Sequence, residues 1–214
     1  MRVLLILLCL AAPVHGQGVQ MAELSQPTAR LVRDVTQIAH KTFPNLPSVR
    51  LTSQIGAICR GDGDSSTLTR YCTSDNAIYV AADLAQRVEA DMAAYLVAHQ
   101  FGHAVQVRHG IADVALARIT RDRAREAEYR GWVTRQVECI AGVLLKRAGA
   151  RVPALDAEPF TGSHWGRSPM AGGPRVSIGA GERRSWLQTG HRAGDFKVCA
   201  VGEFGAELIL RAER

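Results

Sequence analysis

Two histidines, His99 and His103, stand four positions apart in an otherwise apolar segment of the chain. Residues at this spacing lie on one face of a helix, so both imidazole rings can reach the same metal ion. Imidazole nitrogen is a common zinc ligand, and a catalytic zinc usually has three protein ligands and one water molecule. The pair therefore predicts a Zn²⁺ site in which His99 and His103 are two of the ligands.

The residue that follows the first histidine, Gln100, determines what such a site could do. In the zinc-peptidase motif H-E-x-x-H, the Glu takes a proton from the water molecule bound to the metal. A Gln side chain can hold a water molecule by a hydrogen bond, but it cannot accept that proton. Losing a general base lowers the rate by roughly 10²–10⁴-fold. Gln100 is therefore predicted to occupy the general-base position in a degenerate form.

The first candidate for a third ligand is Glu138, which lies in the apolar run from Val137 to Val143. A carboxylate in such surroundings is partly buried and needs a partner, such as a metal ion or a positive charge. The alternative is that Glu138 forms a salt bridge with an arginine such as Arg135, or faces water. We take Glu138 as the tentative third ligand.

The second candidate is His109, ten residues after His99. This is the spacing of the metzincin motif, in which a glycine turns the chain back before the third histidine. Here Gln106 stands at the turning position. Without the turn, a continuous helix carries His109 about 9 Å along its axis from His103, so this remains the minor alternative.

The first sixteen residues have the pattern of a secretion signal. Arg2 precedes an apolar run from Val3 to Ala12, and cleavage is predicted near Gln17. This run is too short to span a bilayer, and no second apolar run approaches twenty residues. We therefore predict a mature chain of residues 17–214 that is secreted or periplasmic, forms a single domain and has no stable membrane anchor.

Four cysteines remain after that cleavage, and an even number in an exported protein favours two disulfides. Cys59 and Cys72 bracket a polar loop, so a local bridge there is plausible. Cys139 would then pair with Cys199. The count alone allows three pairings, and four separate buried thiols are the alternative.

The formal net charge of +6, or +5 once Arg2 is removed, is spread along the chain. The arginines between Arg118 and Arg130 alternate with acidic residues, which is typical of a solvated helix face. Few aromatic residues accompany them, so no nucleic-acid partner is predicted.

Hydrophobic periodicity and turn residues predict a mostly helical α+β fold with a small sheet edge. The strand just before the histidine helix is expected to form the edge on which a peptide could lie. The predicted elements are a helix from Pro27 to Phe43, strands Val49–Ile58 and Ala77–Val80, a helix Ala90–Arg108, a helical region Val114–Arg147 and a last helix Glu182–Gly190.

Three of these segments resemble the bacterial neutral zinc metallopeptidase family. His99 to Gln106 is similar to its motif H-E-x-G-H-H-V-Q, and Thr134 to Val143 is similar to E-L-Q-A-D-C-x-A-G-V. Glu182 to Cys199 resembles its closing helix, aspartate and cysteine. The resemblance implies a zincin-like single domain, a Zn²⁺ cofactor and a peptide or protein substrate or partner.

The chain departs from the family pattern at three positions whose residues matter for the chemistry. The general base is replaced by Gln100, the presumed ligand Glu by Thr134 and the following Asp by Glu138. Glu138 is one methylene longer than Asp and could take over the ligand role. The resemblance therefore implies a metallopeptidase-like protein with weak or absent activity. The alternatives are a non-catalytic module that binds peptides or proteins, or a purely structural exported domain.

Overall fold

The computed structural model describes residues 24–60, 67–155 and 178–202, together with residues 205 and 209. The described chain is a mostly helical α+β fold with one small sheet, which confirms the predicted fold class. The predicted signal peptide, most of the Pro- and Gly-rich segment after Leu155 and nearly all of the apolar tail lie outside the described residues. Within the described part, no helix has both the length and the apolar character needed to cross a membrane.

The described residues form nine helices and strands and three 3₁₀ turns. The helices and strands are α1 Gln26–Thr42, β1 Ser48–Thr52, β2 Thr69–Cys72, β3 Ala77–Ala81, α2 Leu84–Arg87, α3 Ala90–Arg108, α4 Ile111–Arg121, α5 Glu126–Arg147 and α6 Gly179–Ala193. The 3₁₀ turns are Ile55–Arg60, Arg123–Arg125 and Phe196–Cys199.

Helix α3 carries both histidines and lies at the centre of the fold. It packs against α1, α5 and the sheet, and nearly every residue from Ala93 to Gln106 is buried. Neighbouring elements approach the backbone of this helix closely at Gly102. A Cβ added to Gly102 would lie 2.9 Å from the carbonyl oxygen of Val137 on α5. The histidines are therefore held on a helix that has little freedom to move.

The sheet has the strand order β1-β3-β2, with β1 parallel and β2 antiparallel to β3. The prediction that Ala77–Val80 forms the sheet edge was therefore wrong, because β3 has a neighbour on both sides. The edge strand that contacts α3 is β2, which lies at the end of the polar loop predicted between Cys59 and Cys72. The predicted strand Val49–Ile58 is also shorter, since β1 ends at Thr52 and a 3₁₀ turn follows.

The helical region predicted over Val114–Arg147 consists of two helices. The chain leaves helical geometry at Asp122, whose φ and ψ are −138° and 84°. Acidic residues open the next helix, where Glu126 accepts hydrogen bonds from Arg123 and Arg130. A carboxylate in a first helical turn interacts favourably with the helix dipole. These local interactions stabilise the first turn of α5, which begins at Glu126 as a separate helix and packs against α3.

Helices α5 and α6 approach each other at two glycines. A Cβ on Gly142 would overlap the carbonyl oxygen of Leu187, and one on Gly190 would overlap that of Cys139. The two helices are thus in backbone contact, which side chains larger than hydrogen would prevent. This close approach brings the first turns of α6 beside the middle of α5.

Two disulfides tie these elements together. Cys59 is bonded to Cys72 on β2, and Cys139 on α5 is bonded to Cys199 in the last 3₁₀ turn. The Cα atoms are 5.8 Å and 5.3 Å apart, within the usual range for a disulfide. These are the two pairs that were predicted from the sequence, where a local bridge between Cys59 and Cys72 leaves Cys139 to pair with Cys199.

Candidate metal centre

The imidazole rings of His99 and His103 lie next to each other on α3 in an edge-to-face arrangement. Their Nε2 atoms are 3.1 Å apart, and the ring planes are inclined at 77°. His99 is buried, with 3% of its surface exposed, whereas His103 is half-buried. The predicted i, i+4 geometry is therefore realised, and the two Nε2 atoms lie within hydrogen-bond distance of each other.

Glu138 lies on the other side of the His99 ring. Its Oε1 is 3.0 Å from Nδ1 of His99 and also accepts a hydrogen bond from Arg183 on α6. Its Oε2 accepts a hydrogen bond of 2.8 Å from the hydroxyl group of Tyr95. Glu138 and Tyr95 are fully buried and Arg183 is 4% exposed. Glu138 is thus the centre of a buried polar network, and α6 supplies its positive partner.

Burial lowers the pKa of His99, although the neighbouring carboxylate of Glu138 opposes this effect. The pKa of His103 lies well below its ordinary value because of burial, with further lowering by His99 and Arg183. Burial raises the pKa of Glu138, but His99, Arg183 and Tyr95 outweigh it, so the net direction is downward. At neutral pH both imidazoles are neutral, and the charges of Glu138 and Arg183 cancel.

This pattern suits metal binding at the Nε2 atoms. A carboxylate at Nδ1 favours the tautomer of the neutral His99 ring that carries its proton on Nδ1, so that Nε2 has the lone pair. Two nitrogen ligands about 2.0–2.1 Å from a tetrahedral zinc ion are about 3.3 Å apart. The observed 3.1 Å is close to that value. His99 and His103 therefore fit as two ligands of one zinc ion, with Glu138 behind them.

The described residues do not bring a third ligand of the usual kind to the pair. Their only group of three His, Cys, Asp or Glu ligand atoms within 4.8 Å of one another comprises Cys59, Cys72 and Asp75. The two sulfur atoms of that group are bonded to each other, so they are not thiolate ligands. Neither Glu138 nor His109 thus joins both histidines in a compact set. The ring of His109 instead packs on Phe43, the residue that follows α1, with 5.8 Å between ring centroids.

Thr134 stands one helical turn before Glu138 on α5. Helices α3 and α5 run antiparallel here, because His99 meets Glu138 while Gln106 donates a hydrogen bond of 2.9 Å to the carbonyl of Val133. Position 134 therefore lies on the stretch of α5 between these two contacts, alongside the part of α3 that carries His103. Thr134 is half-buried, and its hydroxyl donates to the carbonyl of Arg130 within its own helix. The position predicted for the family's ligand Glu is therefore near the site but carries a hydroxyl group.

Gln100 points from α3 toward the edge strand β2. Its Oε1 accepts a hydrogen bond of 3.0 Å from the backbone N–H of Tyr71. Its Nε2 lies 3.2 Å from Oγ1 and 3.5 Å from the carbonyl oxygen of Thr69. Only 8% of Gln100 is exposed. Both ends of the carboxamide are therefore engaged with β2.

A second polar chain supports α3 from the other side. Nε2 of Gln106 donates to Oε1 of Gln136 at 2.9 Å, and Nε2 of Gln136 donates to the carbonyl of Cys199 at 3.3 Å. These hydrogen bonds therefore connect α3 through α5 to the backbone of Cys199, which forms a disulfide with Cys139.

Sequence reasoning missed Tyr95 and Arg183 as partners of Glu138. The signal that was available is the need of a buried carboxylate for a positive partner, but the sequence alternative named Arg135. In the structure Arg135 pairs with Glu182 at 2.7 Å, while the adjacent Arg183 turns inward to Glu138. Whether Arg135 of α5 or Arg183 of α6 reaches the buried carboxylate depends on how α6 lies against α5.

Comparison with known families gives one match. The family model described as "Putative neutral zinc metallopeptidase" matches residues 26–161. This range covers more than half of the chain and includes α3, α5 and every candidate ligand discussed above. No curated protein and no solved structure matches the chain.

Proposed function

Because the chain belongs to the neutral zinc metallopeptidase family, we propose that it is a peptidase-like protein that holds zinc through His99 and His103 and hydrolyses peptide bonds weakly or not at all. The observation that carries the metal-binding part is the geometry of the two Nε2 atoms, 3.1 Å apart, with Glu138 at the far nitrogen of His99. A zinc ion bound there would supply a Lewis acid for a peptide carbonyl.

In this proposal Glu138 orients His99 and is not itself a ligand, in place of the ligand role predicted from the sequence. To reach the metal, its carboxylate would have to leave the buried guanidinium of Arg183 and the hydroxyl of Tyr95. Leaving a buried charge without its partner is costly. A carboxylate behind a ligating histidine raises the basicity of the ring and holds its orientation.

The low activity follows from Gln100. A carboxamide cannot take a proton from water, and here it is also bonded to both Tyr71 and Thr69. The charge balance adds to this effect, because the positive charge of Arg183 cancels the negative charge of Glu138. Among the described residues, Glu138 therefore offers no net negative charge to a dication at the two histidines, and we expect the ion to bind less tightly than in a three-ligand site.

Zinc content tests the metal-binding part. After dialysis against dilute zinc chloride, we expect one zinc ion per chain in the natural protein and none in His99→Ala, measured by elemental analysis. The matched control is His40→Ala, since His40 is an exposed histidine of α1 that hydrogen-bonds the carbonyl of Pro47. Equal zinc content in all three proteins would contradict the site, and zinc in none of them would leave the scaffold without its metal role.

Restoring the two lost carboxylates tests the catalytic part. We expect Gln100→Glu alone to leave hydrolysis near the level of the natural chain, because the metal still lacks its third ligand. The double variant Gln100→Glu/Thr134→Glu should be faster by roughly 10²–10⁴-fold, the usual contribution of a general base. The measurement is zinc-dependent cleavage of an internally quenched peptide mixture. A natural chain as fast as the double variant, or a zinc-loaded double variant without cleavage, would contradict the proposal.

We also propose that the protein acts outside the cytoplasm on a peptide or protein. The apolar run that follows Arg2 supports export, and two disulfides are compatible with an oxidising compartment. Expression in a bacterial host should give a processed chain beginning at Gln17 in the periplasm or medium, as read by N-terminal sequencing. An unprocessed chain confined to the cytoplasm would contradict export.

A further inference from the structure

In the described part of the chain β2 is an edge strand of the sheet, and the side chain of Gln100 on α3 contacts its backbone. Strand β2 pairs with β3 through Leu68, whose carbonyl accepts from Ala81 N–H, and through alternate residues after it. In an antiparallel pair, the residues that lie between the hydrogen-bonded ones point their N–H and C=O groups away from the partner strand. The backbone groups of Thr69 and Tyr71 therefore face away from β3, toward α3.

Gln100 meets these groups in the pattern of a neighbouring strand. In a parallel pair, one residue accepts from the N–H of residue i+1 and donates to the C=O of residue i−1 of its neighbour. The carboxamide of Gln100 does the same: Oε1 accepts from Tyr71 N–H, and Nε2 points at the carbonyl and hydroxyl oxygens of Thr69. It thus takes the place that one residue of an added parallel strand would take.

A glutamate could perform only half of this role. Its carboxylate could accept from Tyr71, but it has no N–H group to donate to Thr69 and would face two oxygen atoms there. The replacement of Glu by Gln at this position therefore has a structural consequence as well as a catalytic one, because it adds a donor that closes the strand edge.

We propose that Gln100 is a clasp that holds the open edge of β2 against α3, and that it excludes an extended peptide from pairing with β2 at Thr69 and Tyr71. Peptides commonly bind to sheet edges by adding a strand, which needs these same backbone groups. The inference rests on the proposed function and deepens it, since it names a class of ligand, the strand-paired peptide, that the edge of β2 does not bind while Gln100 holds Thr69 and Tyr71.

Hydrogen exchange tests the clasp. In the ¹⁵N-labelled protein, we expect the Tyr71 amide to exchange at least ten times faster in Gln100→Met than in the natural chain, because Met keeps the size and removes the acceptor. The amide of Arg70, which faces β3, serves as the internal reference. The matched control is Gln106→Met, since Gln106 is a buried glutamine of α3 bonded to α5 and not to β2. Unchanged exchange at Tyr71 in Gln100→Met would overturn the clasp.

Peptide binding tests the exclusion. The probe is a blocked, fluorescein-labelled hexapeptide of alternating valine and threonine, followed by fluorescence anisotropy. We expect at least ten-fold tighter binding to Gln100→Ala than to the natural chain, with no change in Gln106→Ala. Equal affinity of the natural chain and Gln100→Ala would overturn the exclusion. Neither readout requires zinc or hydrolysis, so a failure here is distinguishable from a failure of the proposed function.

Discussion

Glu138→Ala is expected to lower the free energy of unfolding by about 3–5 kcal/mol, the usual cost of removing one partner of a buried ion pair. Glu138 is fully buried and bonded to Arg183, His99 and Tyr95. Without it, the guanidinium of Arg183 stays charged in a site where it is only 4% exposed. Because the variant keeps the buried charge of Arg183 but lacks the carboxylate, the loss in free energy of unfolding should exceed the cost of removing methylene groups alone.

Urea unfolding followed by circular dichroism measures this loss. The matched control is Glu128→Ala, which removes an exposed carboxylate from the same helix that pairs with Arg125 at 2.7 Å. We expect a change within about 0.5 kcal/mol there, as for most surface ion pairs. The double variant Glu138→Met/Arg183→Met should recover most of the lost stability, since neither charge remains. Equal losses for Glu138→Ala and Glu128→Ala would contradict the buried network.

Glu138→Ala should also weaken zinc binding by about 10–100-fold, which is the typical effect of losing a carboxylate behind a ligating histidine. Competition with a zinc chelator measures this in conditions where the variant is folded. An unchanged zinc affinity would remove Glu138 from the site both as an orienting residue and as a ligand.

Gly142→Ala is expected to destabilise the protein by about 3 kcal/mol or more, at or above the upper end for overpacked sites. A Cβ at this position would overlap the carbonyl oxygen of Leu187 and approach the backbone nitrogen of His191 to 2.8 Å. Both obstacles are backbone atoms, so no rotamer change can relieve the overlap. Helix α6 would have to move away from α5 and carry Arg183 away from Glu138.

Gly131→Ala is the matched control for this effect, because Gly131 lies in the same helix. The nearest atom to an added Cβ there is Nη1 of Arg135, at 2.8 Å, the end of a flexible side chain that can move aside. Alanine is favoured over glycine in a helix by about 1 kcal/mol, so Gly131→Ala should be neutral or stabilising. Thermal unfolding of the two variants compares them directly. Similar melting temperatures would contradict the backbone contact between α5 and α6.

The local features of this protein could be predicted from its sequence. The spacing of His99 and His103 places both rings on one face of any helix, whatever surrounds it. The apolar run around these residues predicts a buried helix, and the structure has it at the predicted Ala90–Arg108. The family resemblance, carried by short motifs on α3 and α5, agrees with the family model that matches residues 26–161. These features depend on helical periodicity and residue chemistry, which the order of residues determines directly.

The partners of these residues were decided by the tertiary structure. Glu138 and Arg183 are 45 positions apart, and Gln100 and Tyr71 are 29 apart. Whether such pairs meet depends on how closely α6 crosses α5 and on which strand lies at the sheet edge. The sequence suggested Arg135 and β3 for these two places, and the structure has Arg183 and β2. Local periodicity contains no information on helix crossing or strand order, because both result from packing the whole core.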